Sequence, residues 1–88
     1  MNSMLAVDEP VQVVVRTLPS GKIVPKSFVW QGRTHHLSEH GRRWREEIDG
    51  KQVRCFLVRT PGLSAFELRW DTSSDEWKLH RAWLMNVA

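Results

Sequence analysis

Five side chains in this sequence could hold a transition metal: His35, His36, His40, His80 and Cys55. Zinc takes about four nitrogen or sulfur ligands in a tetrahedron, commonly through paired clamps such as H-x₃₋₅-H. His36-x-x-x-His40 has that spacing, but no second clamp accompanies it. His35 and His36 are adjacent, so on a strand they point to opposite faces. The set is incomplete, and neither a metal nor a cofactor is expected. Cys55 with one of the histidines would make a nucleophilic pair. Yet Cys55 sits between Val53 and Leu57 at strand spacing, which is the setting of a small core hydrophobe. No glycine-rich phosphate loop, paired-carboxylate motif or serine elbow occurs. No catalytic residue is assigned, and the chain is read as a non-enzyme.

The remaining chemistry is cationic and aromatic. Nine of the 13 basic residues are arginine, and Arg33, Arg42, Arg43, Arg45, Arg54, Arg59, Arg69 and Arg81 lie in stretches that also carry Trp and Phe. Small β-domains bind single strands by stacking bases on aromatics inside a basic groove. The plainer account makes the aromatics core and the arginines their cover, through aliphatic stems and stacking on indoles. A surface rich in arginine and poor in lysine also suits a protein interface. A protein partner is therefore expected first and single-stranded DNA second. The candidate binding residues are Arg42, Arg43, Arg59 and Trp83. Trp83 is chosen because it follows Arg81, where the apolar alternation breaks, and lies near the chain end.

These residues need elements to position them. Phe66, Leu68 and Trp70, then Trp77, Leu79 and Trp83, recur with a period of two that fails only at Arg81. Such alternation marks half-buried antiparallel strands, and Asp71–Asp75 between them reads as a turn. Val11–Arg16, Ser27–Trp30, Arg33–Leu37 and Lys51–Arg59 read as further strands. Leu18–Lys22, Gln31-Gly32, Asp49-Gly50 and Thr60-Pro61-Gly62 carry turn chemistry. Glu39–Gly50 admits a helix, from the spacing of Leu37, Trp44 and Ile48, or a bulged strand carrying Trp44. Gly41 inside it favours the strand. Six or so short strands at this spacing predict an all-β fold, a small antiparallel barrel or rolled sheet of five to six strands with at most one short helix. Phe28, Trp30, Trp44, Phe56, Phe66, Leu68, Trp77 and Leu79 form the predicted core.

Eighty-eight residues with a formal net charge of +3 allow one domain with a small core. Residues 1–10 read as a disordered leader and 11–88 as a single β domain. The lone cysteine fits a reducing cytoplasm, and no apolar run is long enough for a transmembrane helix. No membrane association is expected.

Val11-x-Val13, Gly21, Pro25, Phe28-x-Trp30, Gly32-Arg33, Leu37, Trp44-Arg45-Glu46, Arg54, Phe56-x-Val58-x-Thr60, Phe66-Glu67-Leu68, Asp71 and Trp77-x-Leu79-x-Arg81 together carry a resemblance. The sequence resembles a family of small bacterial domains of unknown function. A similar module closes the catalytically dead, ImuB-type relatives of Y-family polymerases. The resemblance spans Val11 to Trp83 and implies a role in DNA damage tolerance. The family usually has Tyr where His35 stands, and further aromatics where this chain has Ile48-Asp49-Gly50-Lys51. Beside the core aromatics, Arg45, Glu46, Glu67 and Arg81 are read as structural Arg–carboxylate partners.

Overall fold

The computed structural model describes residues 2–85, without the side chains of residues 2, 3, 39 and 40. Among these residues there are eight strands and no helix: β1 (Asn2–Pro10), β2 (Gln12–Thr17), β3 (Ile23–Trp30), β4 (Arg33–His36), β5 (Glu39–Ile48), β6 (Lys51–Arg59), β7 (Ala65–Asp71) and β8 (Glu76–Met85). They form two antiparallel sheets, a larger one in the order β1-β8-β7-β6-β5 and a smaller one in the order β2-β3-β4. The expected all-β rolled sheet is the fold. The two sheets do not close into one barrel.

Two bends join the sheets. At Val11 the chain leaves β1 for β2, and the Val11 amide donates to the Trp77 carbonyl at 3.1 Å. At Leu37-Ser38 it leaves β4 for β5; Leu37 N–H donates to Lys26 and Ser38 N–H to Arg59, at 3.0 and 2.8 Å. Each bent pair of strands thus serves both sheets, which is how strands turn the corner of a packed sheet pair. The two-residue turns follow their residue types. Gln31 and Gly32, like Asp49 and Gly50, both have positive φ, as the hairpin turn whose twist matches the strands requires.

The core lies between the sheets. Phe28 and Trp30 of the small sheet pack on Phe56, Val58, Phe66, Leu68, Trp77, Leu79 and Ala82 of the large one. Phe28 meets Phe66 edge-on with centroids 5.0 Å apart, and His35 stacks on Phe28 at 5.1 Å. Burial and the nearby Arg33 push the His35 imidazole below its ordinary pKa, so it packs as a neutral aromatic ring.

Two expectations need correcting. Residues 1–10 were expected to be disordered, yet Asn2–Pro10 is a strand paired along β8. Its acidic end, which reads as solvent-loving, is anchored instead: Trp30 Nε1 donates to Glu9 at 2.8 Å and His80 bonds Asp8. Trp44 is half-buried outside the core. A bulge is the cause: His40 opposes Val58 and Arg43 opposes Phe56, so Gly41 and Arg42 together face Leu57. The extra residue reverses the phase of β5, turning Arg43 and Arg45 to the core side and Trp44 to the other. The alternation of β8, already seen to break at Arg81, changes phase in the same way. Glu67 opposes Arg81 while Leu68 opposes Leu79, leaving His80 as the extra residue, so Ala82 points inward and Trp83 outward.

Candidate anion-binding cleft

The inner face of the large sheet is only partly roofed. Beyond Phe56 the small sheet ends in its β2–β3 turn, and a cleft of about 540 Å³ opens between that turn and the β5–β6 strands. Ser20, Gly21, Lys22 and Ile23 form one wall; Arg43, Arg45, Arg54 and Phe56 lie on the other, with the chain at Trp44 and Cys55. Four cations line this space and, among the described residues, no carboxylate does.

Strand register explains how they meet. Arg45 sits directly opposite Arg54 across the β5–β6 ladder, and Arg54 opposite Trp70 across β6–β7. Trp70 in turn opposes Trp77. One row across four strands therefore reads Arg, Arg, Trp, Trp. The Arg54 guanidinium lies over the Trp70 ring at 5.7 Å, and the Trp70 and Trp77 rings are parallel at 5.2 Å. Trp70 Nε1 donates to Asp75 at 3.0 Å, which fixes the ring from the β7–β8 turn. Arg43, two residues before Arg45, shares its face. Like charges directly opposite on a sheet are destabilising. None of the four cations forms an ion pair among the described residues. Glu47 is the nearest acid on this face of β5, two residues past Arg45, and it does not line the cleft.

Of the sequence-derived binding residues, Arg43 alone enters the cleft. Arg42 lies over Trp44 at 5.7 Å on the other side of β5. Arg59 and Trp83 share the outer face of the large sheet, separated by Ala65 in one cross-strand row. Lys22, Arg45 and Arg54 were not among the sequence-derived binding residues. For Arg45 the signal was Gly41, since an internal strand glycine marks a bulge and hence a phase reversal.

The outer face carries a second polar cluster. Arg69 donates from Nη2 to Glu46 at 3.0 Å and from Nε to Glu67 at 3.1 Å. Cys55 Sγ donates to Glu46 at 3.4 Å. Glu46, Cys55 and Glu67 bring three ligand-type atoms within 4.8 Å of one another. The Arg69 guanidinium already supplies the positive charge there. The Arg–carboxylate pairing expected of Arg45 and Arg81 is made instead by Arg69, and neither Arg45 nor Arg81 forms an ion pair among the described residues. Hydrogen bonds from Cys55 and Trp44, helped by Arg69, hold the Glu46 carboxyl below its usual range. Burial and the neighbouring Glu46 push the Cys55 thiol up to about 12. A protonated thiol is a poor nucleophile.

Comparison with family models, with curated proteins and with solved structures finds no match. The cleft must therefore be read from its own chemistry.

Proposed function

We propose that this protein is a non-enzymatic binding module and that its cleft holds an anionic chain. One observation carries the reading: Arg45 faces Arg54 directly, beside Arg43 and Lys22, with no carboxylate among the described residues lining the cleft. Adjacent unpaired cations repel and cost stability. An anionic ligand that bridges them relieves the repulsion, and charge-assisted bonds to guanidinium favour carboxylate or phosphate oxygens. The three arginines stand on β5 and β6 beside the core residue Phe56, and Lys22 faces them from the β2–β3 turn. The non-enzymatic part rests on Cys55, Glu46 and Glu67: the thiol is buried and bonded to Glu46, and both carboxylates are engaged by the single Arg69.

Inorganic polyphosphate tests this reading without assuming a partner. Binding should fall steeply with salt, because each neutralised phosphate releases counterions. Arg45→Gln should weaken it, while Arg59→Gln on the far face should not. Equal loss from both variants, or no binding at low salt, would remove the cleft as the site.

A further inference from the structure

The geometry points to single-stranded nucleic acid as the chain that occupies the cleft, an inference that rests on the anion-binding reading above. Charge alone would serve a phosphate chain or an acidic peptide equally. The row Arg45, Arg54, Trp70, Trp77 adds something charge does not. Arg54 lines the cleft while its guanidinium lies over Trp70, which is itself stacked on Trp77 with the rings 2° from parallel. A planar cation at the end of an indole stack is a surface on which a further planar group can be laid. Unpaired bases stack on arginine planes as well as on aromatic rings. Arg43, Arg45 and Lys22 then stand beside that platform, where phosphates flanking a stacked base would lie.

The Arg54 end of the platform opens into the cleft, between the β2–β3 turn and the β5–β6 strands. The combination of a basic groove with a stacking surface is the physical basis of sequence-tolerant single-strand binding.

The test compares four probes on the whole chain at one low salt concentration: an oligothymidylate, a duplex of the same length, inorganic polyphosphate and polyglutamate. The oligothymidylate should bind at least about tenfold tighter than polyphosphate of matched charge, the difference being base stacking. Its binding should perturb indole fluorescence, and log–log salt dependence should fall by ~0.7 per phosphate contacted. Arg54→Lys keeps the charge and loses the plane. It should weaken oligothymidylate by about tenfold and leave polyphosphate within about twofold. Arg45→Gln, on the edge strand, should weaken both and serves if Arg54→Lys disturbs the Trp70 stack. Equal affinity for oligothymidylate and polyphosphate, with Arg54→Lys affecting both alike, would overturn this inference and leave the anion-binding reading standing. Tighter binding of polyglutamate or of the duplex would overturn it in favour of those partners. No binding of any probe would overturn both.

Discussion

Arg45 and Arg54 occupy directly opposed positions on β5 and β6, with the side chains on the same face of the sheet. A cross-strand pair of like charge contributes against folding by roughly 0.2–1 kcal/mol. Arg54 recovers part of this by lying over Trp70. No aromatic contact of this kind is found for Arg45 among the described residues.

Arg45→Gln is therefore expected to raise stability by roughly 0.2–1 kcal/mol at low ionic strength. The gain should shrink as salt rises, since exposed charges are screened over about 10 Å at 0.1 M. Urea unfolding at two salt concentrations checks it. A loss of stability, or a gain independent of salt, would mean that the pair is not repulsive. The same substitution should weaken anion binding, so stability and function would move in opposite directions.

Gly41 allows the bulge that turns Arg43 and Arg45 into the cleft. A Cβ there would lie 2.9 Å from the Leu57 carbonyl oxygen, which is main chain and cannot swing aside. Gly41→Ala should destabilise by about 1–3 kcal/mol through overpacking. It should also weaken anion binding beyond what a surface change produces, because the bulge sets the phase of both arginines. Wild-type urea midpoint and affinity in this variant would show that the bulge tolerates a side chain.

Cys55 is fully buried, and its thiol is raised from 9.0 to about 12 by burial and by Glu46. It should resist thiol reagents in the native state and react only at the rate of opening. The folded state holds the proton more tightly than the unfolded chain does. Stability is thus unaffected by this group below pH 9, and falls as pH climbs from there towards 12. Cys55→Ala should remove that alkaline component of the unfolding profile, at the expense of a small cavity. Rapid labelling of Cys55 at pH 8, or an unchanged alkaline profile in Cys55→Ala, would contradict this.

Much of the fold was legible because the strands signal themselves locally. β6 runs over Lys51–Arg59, as its dense Val, Phe and Leu indicated, and the Gln31-Gly32 and Asp49-Gly50 turns lie where their residue types placed them. The misplacements have two causes. Alternation gives the phase of a strand only up to its next bulge. Gly41 and the break at Arg81 were visible, but what they do to Trp44 and Trp83 depends on partner strands that lie elsewhere in the sequence. The N-terminal strand was missed because Asp8 and Glu9 look solvated, and only the β8 edge, His80 and Trp30 reveal what holds them. The cleft combines these limits: Arg45, Arg54 and Lys22 come together only when the phase reversal in β5 and the position of the β2–β3 turn are both known.

The most direct test follows backbone amide chemical shifts through a titration with inorganic polyphosphate at low salt. The cleft account expects saturable shifts centred on Lys22, Arg43, Arg45 and Arg54, spreading to the indole N–H of Trp70, with little change at Arg59 or Trp83. Shifts centred on Arg59, Arg81 and Trp83 instead, or the absence of saturable shifts anywhere, would contradict it.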